Sequence, residues 1–144
     1  MAKVLFVQPN IGWQWDALLD ATAVNQVPLH LANTAIEAEE IIGRLCPEVV
    51  VCALNFSDGE WRRILQQAQA ASLPTNVIVV SEHDDIPLYL KAMEDGAYDF
   101  ATLQTSKTDL ARILRCALGD SENRRQARWK AATCGSPFLP LSLP

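Results

Sequence analysis

Short apolar runs alternate with longer stretches whose apolar residues recur every three to four positions, and this alternation repeats five times. Val4-Leu5-Phe6-Val7 is the first run. A helix from about Trp13 to Val24 follows, with Leu18, Leu19 and Ala23 directed inward. Pro28-Leu29-His30-Leu31 reads as a short second strand. Asn33 or Thr34 suits the N-cap of the next helix, whose Ile41, Ile42 and Leu45 share a face. The run from Glu48 to Leu54 is continuously β-favouring, and continuity without alternation marks a strand buried on both sides. Asp58 is placed to cap a helix carrying Trp61, Ile64, Leu65 and Ala68 at i, i+3, i+4, i+7. Asn76 to Val80 is another buried strand. Asp84 or Asp85 starts a helix that runs through Met93 and stops near Gly96. Tyr98 to Ala101 is the fifth strand, and Leu110, Ile113, Leu114, Ala117 and Leu118 form the stripe of a fifth helix.

Such alternation with short connections predicts an α/β fold, a doubly wound five-stranded parallel sheet with helices on both faces. In these sheets ligands and chemistry collect at the C-terminal ends of the strands. The positions to search are therefore those after Val7, Cys52, Val80 and Phe100. Beyond the fifth helix, residues 119–130 prolong it or form a linker, and residues 135–144 carry three prolines and exclude regular structure. The expected division is a domain over 1–119 followed by a helical extension and Pro-rich linker or tail over 120–144.

With 144 residues the chain suits one domain with a sizeable core. No apolar run approaches the roughly 18 residues of a membrane span. Met1 to Val7 lacks the length and cleavage site of a signal peptide, so a cytoplasmic location is expected. The net charge of −5 is uneven: 5 basic and 14 acidic side chains up to residue 106, then 7 basic and 3 acidic from 107 onward. Spread along a helix, the basic residues read as a solvated face, so contact with nucleic acid is expected only indirectly, through an output domain. Cys46, Cys52, Cys116 and Cys134 have no paired spacing, and only His30 and His83 accompany them. Buried free thiols are expected, and no metal or other cofactor.

Four segments, in order and normally spaced, carry a family resemblance: Lys-Val-Leu-Phe-Val at 3–7, Pro-Glu-Val-Val-Val-Cys-Ala-Leu-Asn-Phe-Ser-Asp-Gly at 47–59, Val-Ile-Val-Val-Ser-Glu-His-Asp-Asp at 77–85, and Asp-Gly-Ala-Tyr-Asp-Phe at 95–100. Over roughly residues 2–119 the chain resembles the CheY-like receiver domain of bacterial response regulators. The resemblance implies the flavodoxin-like strand order 2-1-3-4-5. Active receivers hold Mg²⁺ on two acidic residues after the first strand and phosphorylate an Asp ending the third. They contact the phosphoryl group through a Ser or Thr after the fourth strand and a Lys after the fifth. The chemistry requires those types: hard carboxylates for Mg²⁺, a carboxylate nucleophile, and a cation for the transferring group.

Position by position, the match departs from that chemistry. The acidic pair falls on Gln8 and Pro9, with Asn10 next; the phosphoacceptor position is Ala53; the Lys position is Leu103, followed by Gln104. Ser81 and Phe100, at the family's switch-aromatic position, remain. Asp58, Asp84 and Asp85 read as helix caps and His83 as a surface residue. Trp61 stands where the family commonly has Gly. The resemblance thus implies a non-phosphorylatable pseudo-receiver that binds partners, with no catalytic residue. No Gly-rich phosphate loop or nucleophile–base pair supports another enzyme activity.

In the family, the surface of the fourth helix, fifth strand and fifth helix commonly makes homodimers. Here it would carry Tyr89, Lys91, Asp95, Tyr98, Asp99, Lys107, Arg112 and Arg115, a mixed-sign set suited to a two-fold contact. An output domain or other signalling protein would be a further partner. The alternative is a small apolar ligand in the neutral pocket between Gln8, Ala53, Ser81 and Leu103, with Trp13 or Trp15 as its lid. Phosphorylation on an unusual acceptor is a third reading.

Overall fold

The structure is a computed structural model that describes residues 2–9 and 15–134. In chain order the elements are β1 (Val4–Val7), α1 (Asp16–Val24), β2 (Leu29–Ala32), α2 (Ala35–Leu45) and β3 (Val49–Ala53). Then come β4 (Asn55–Phe56), β5 (Gly59–Glu60), α3 (Trp61–Gln69), β6 (Asn76–Ser81), α4 (Ile86–Glu94), β7 (Asp99–Thr102) and α5 (Lys107–Cys134). The main sheet has the order β2-β1-β3-β6-β7, all parallel. With the two-residue strands β4 and β5 set aside as a hairpin, this is the expected 2-1-3-4-5 order.

Successive strand residues point to opposite faces. Leu5, Val7, Val50, Cys52, Val77 and Val79 meet α2, α3 and α4 through Ile41, Ile42, Ile64, Leu65, Ala68 and Ala92. Val4, Phe6, Val49, Val51, Ile78 and Val80 meet α1 and α5 through Leu18, Ala21, Leu110, Leu114 and Ala117. This is why β1, β3 and β6 read as unbroken apolar runs: every residue in them is buried. Among the described residues, no helix is long and apolar enough to cross a membrane.

Several local expectations change. On α1 the buried residues are Leu18, Ala21 and Thr22, while Leu19 and Ala23 face out. The small residues bring α1 close to α5, and Asn25 Nδ2 donates to Ala111 O at 3.2 Å. Strands β2 and β7 begin one residue later than expected. Thr34 caps α2, accepting from Glu37 N at 3.1 Å, and Asp85 caps α4, accepting from Leu88 N at 3.0 Å. Gly96, with φ 107°, follows the C-cap of α4, where the left-handed region favours glycine.

Asp58 does not cap α3, whose N-cap is Glu60 without a side-chain bond. Its carboxylate instead reaches across to α2, accepting from Ala35 N at 2.8 Å and Ile36 N at 3.0 Å. Of the cysteines, Cys52 is buried, but Cys46 is half-buried and Cys116 exposed, because Cys116 lies on the outer side of α5. The expected Pro-rich tail and the start of the first helix at Trp13 lie outside the described residues. Helix α5 runs without a break through Gly119 to Cys134.

Candidate functional site

The C-terminal ends of β1, β3, β6 and β7 enclose a cavity of about 230 Å³ lined by Pro9, Ala53, Leu54, Asn55, Val80, Ser81, Glu82 and Leu103. Four of the positions singled out from sequence, Pro9, Ala53, Ser81 and Leu103, thus share one cavity. Parallel register puts them there: Ala53 pairs with Val80, and Ser81 with Thr102, so each strand ends at the same level. Gln8 is buried beside the cavity but does not line it; its backbone N–H donates to Ala32 O at 2.9 Å and continues the β1–β2 ladder. Asn10 lies outside the described residues.

Chemically the cavity is poor. Ala53 presents a methyl group. Leu103 packs against the core on the α1–α5 face, and its N–H donates to Ser81 O at 3.1 Å, which pins the β7–α5 loop to β6. The Ser81 hydroxyl accepts from His83 N at 3.3 Å. Thr105 Oγ1 accepts from Thr102 N, and Thr102 Oγ1 from Gln104 N, so the loop satisfies its own amides. Glu82 and Asn55 also line the cavity and were not picked out from sequence. Asn55 arrives through the β4–β5 hairpin, which carries no apolar pattern long enough to announce a strand.

Mg²⁺ takes near-octahedral oxygen ligands and relies on carboxylates. Pro9 and Ala53 offer no side-chain oxygen, and among the described residues Glu82 is the one carboxylate on the lining. Among the described residues, no group of three His, Cys, Asp or Glu side chains is placed to hold a metal. The residues present do not fit the ion. Cys52, directly below Ala53, is no substitute nucleophile: complete burial pushes its thiol far up, away from the reactive thiolate.

The loop above the cavity is fastened sideways. Besides the Asp58 bonds to α2, Arg63 donates to Glu39 on α2 at 2.7 and 2.9 Å and to Asp58 O at 2.7 Å. The α2 amides, first Ala35 and then Ile36, hold the Asp58 carboxyl below its ordinary value. Trp61 is buried in the core beneath α3, with the Arg62 guanidinium 5.0 Å from its ring centroid. Trp15 is buried against Phe6, with ring centroids 6.4 Å apart, and does not reach the cavity, so it is not a lid. Trp13 lies outside the described residues. Phe100 is half-buried toward α4 and meets Tyr89 edge-on at 5.8 Å.

The residues expected on a dimer face do not all share one. Tyr89 and Lys91 are exposed on α4, where Lys91 pairs with Asp95 at 3.6 Å and Arg62 reaches Asp95 at 3.3 Å. Tyr98 is half-buried, and burial, then Asp120, raises its hydroxyl pKa. Asp99 accepts from Phe100 N at 2.8 Å. Lys107 turns to α1 and pairs with Asp20 at 3.0 Å, a bond that raises its pKa. Arg112 pairs with Asp109 at 3.6 Å, and Arg115 is exposed on α5. Sequence reasoning passed over the apolar part of this surface: Ile86 is 71% and Leu90 58% exposed, one helical turn apart on α4 beside Tyr89. The signal was present, since residues four apart on a helix share a face.

No family model matches the chain. The Probable transcriptional regulatory protein NarL of Mycobacterium tuberculosis, in strains CDC 1551 / Oshkosh and ATCC 25618 / H37Rv, is 25% identical over 89 residues. That match covers 61% of this chain and 41% of the relative, so the chain spans well under half of the relative's length. Among solved structures, the signal receiver domain of the putative Luxo repressor protein from Vibrio parahaemolyticus superposes with a TM-score of 0.73 at 20% identity, covering 84% of this chain and 92% of that one. A response regulator receiver domain protein from Clostridium thermocellum gives 0.73 at 18% identity, covering 85% and 98%. The receiver domain of the putative response regulator NarL from M. tuberculosis gives 0.68 at 20% identity, covering 82% and 98%. The chain has the CheY-like receiver fold.

Proposed function

We propose that this chain is a receiver-fold signalling module of the response-regulator type that works without phosphotransfer, as a protein-interaction unit in the cytoplasm. The observation that carries this reading is the content of the cavity: Ala53 at the end of β3, Leu103 opposite, and Pro9 at the end of β1. At the end of β3 Ala53 has no carboxylate to take a phosphoryl group, and among the described lining residues no cation offsets its charge. Incubation with acetyl phosphate and Mg²⁺, followed by intact mass, tests this. An unchanged mass is expected; a gain of one phosphoryl group would overturn the reading.

The partner surface in this proposal is α4 with the adjoining part of α5. Ile86, Tyr89 and Leu90 give it an apolar centre, and Lys91, Arg112 and Arg115 a charged border. Apolar centres with polar rims are the usual anatomy of protein interfaces, and a second copy of the chain fits a two-fold contact. Leu90→Asp should abolish self-association in sedimentation, and Arg112→Glu with Arg115→Glu should weaken it. A wild-type chain that stays monomeric at high concentration would remove this surface from the proposal. The relative's name suggests control of transcription, and any nucleic-acid contact would then be made by an output domain.

A second reading has one observation in its favour. Of the described residues lining the cavity, five of eight, Pro9, Ala53, Leu54, Val80 and Leu103, are apolar, which suits a small apolar ligand. Thermal shift against small apolar compounds tests it; Ala53→Leu should fill the cavity and erase any shift found.

A further inference from the structure

After Leu118 the apolar stripe of α5 ends, and no apolar residue larger than Ala follows until Trp129. A helix this polar has no hydrophobic reason to lie against the body. Yet Ser121 is fully buried, and its hydroxyl donates to Pro74 O at 2.7 Å.

The contact is made through main-chain carbonyls at the N-terminal ends of the strands. Arg125 donates from Nε to Pro74 O at 2.9 Å and from Nη2 to Cys46 O and Pro47 O, both at 3.0 Å. Its Nη1 pairs with Glu48 Oε2 at 3.2 Å, with both side chains largely buried. Glu48 Oε1 in turn accepts from Lys3 N at 2.9 Å, just before β1. One guanidinium therefore joins the end of α2, the start of β3 and the α3–β6 loop, and through Glu48 the start of β1. Cys46 and Pro47 follow the last turn of α2, where unpaired carbonyls and the negative end of the helix dipole favour a cation.

Neighbouring residues extend the set. Arg124 donates to Asn76 Oδ1 and pairs with Asp120 at 3.0 Å. Asn76 Nδ2 donates to Ala117 O at 2.8 Å and to Asp120 at 3.0 Å. Arg128 donates to Ser72 O at 2.6 Å.

We propose that Arg125, with Ser121, Arg124 and Arg128, is a positioning clasp that makes residues 119–128 part of the rigid domain. It fixes the direction in which the chain leaves at Cys134, and it ties that direction to the α2–β3 and α3–β6 corners rather than to the cavity at the opposite edge. The clasp does not depend on the dimer surface or on the absence of phosphotransfer. It needs the planar five-donor fork of Arg; the compact ammonium of Lys cannot reach four acceptors on three segments.

Backbone amide hydrogen exchange on the full chain tests it. In the wild type, amides of 121–128 should be protected to within about tenfold of those of 110–118. Arg125→Lys should speed exchange across 121–128 by at least tenfold and leave 110–118, β3 and β6 unchanged. Where that variant fails to fold, Arg124→Ala with Arg128→Ala, which leaves the Arg125–Glu48 pair intact, should give a smaller rise confined to the same segment. Fast exchange of 121–128 in the wild type would overturn the clasp. So would an Arg125→Lys profile identical to wild type, or a rise spread uniformly over the whole domain.

Discussion

The two edges of the sheet differ in kind. At the C-terminal edge, where parallel sheets usually carry their chemistry, Pro9, Ala53 and Leu103 surround a cavity with little to offer a charged group. At the N-terminal edge, Glu48, Asn76, Arg124 and Arg125 form a charged network in which each polar group meets a partner. The charged network at the N-terminal edge thus holds an element in place, while the cavity at the C-terminal edge carries Glu82 as its one charged side chain among the described residues. A receiver-like fold is therefore no guide to where its charged side chains work.

Substitutions that attack this contrast should rank as follows. Glu48→Ala removes the carboxylate from beneath Arg125 and leaves a largely buried cation with carbonyls alone; a loss of about 3 kcal/mol in urea unfolding is expected. Ala53→Asp places a carboxylate in the neutral cavity and should cost about 2 kcal/mol at pH 7. Burial would raise that carboxyl's pKa above its unfolded value of about 3.9, so the folded state binds more protons and the deficit grows as pH rises. Unfolding midpoints at pH 4 and pH 7 check the sign. Adding Leu103→Lys to Ala53→Asp should return about 1 kcal/mol, read as the coupling in a double-mutant cycle.

Smaller effects are expected from the fastened loop. Asp58→Ala should lower the unfolding midpoint at pH 7, because the carboxylate no longer meets the α2 amides. The native pKa of Asp58 is depressed. Its contribution is therefore present above the ordinary carboxylate value and is lost as pH falls through the depressed one. Wild type and variant should converge in acid. Arg128→Ala, which removes one exposed bond to Ser72 O, should change stability by less than about 1 kcal/mol.

Much of the fold was legible because burial on two faces forces unbroken apolar strands, as in Val49 to Cys52 and Val77 to Val80. The strand ends around the cavity were legible for the same reason, while Pro9, Ala53 and Leu103 were singled out by the resemblance to receiver domains. Local signals failed where a side chain serves a distant segment. Asp58 has the type and place of a cap for α3, and only the folded chain brings α2 within its reach. Arg125 looked like one of several solvated cations, because nothing in its neighbourhood along the chain hints at Cys46 or Pro74. On α1, Leu19 was the more hydrophobic choice, yet the close approach of α5 selected Ala21 and Thr22.

The clasp also bears on the order in which the domain assembles. Arg125 meets Cys46 and Pro47 across 79 and 78 residues of chain, so these bonds close among the largest loops in the molecule. Contacts of such sequence separation form slowly, since loop entropy is lost before any bond compensates for it. During synthesis, β1, β3 and the end of α2 leave the ribosome long before their partner does. Glu48 can already accept from Lys3 N at that stage, but its second oxygen and Cys46 O gain their Arg125 partner only once the late part of α5 has emerged.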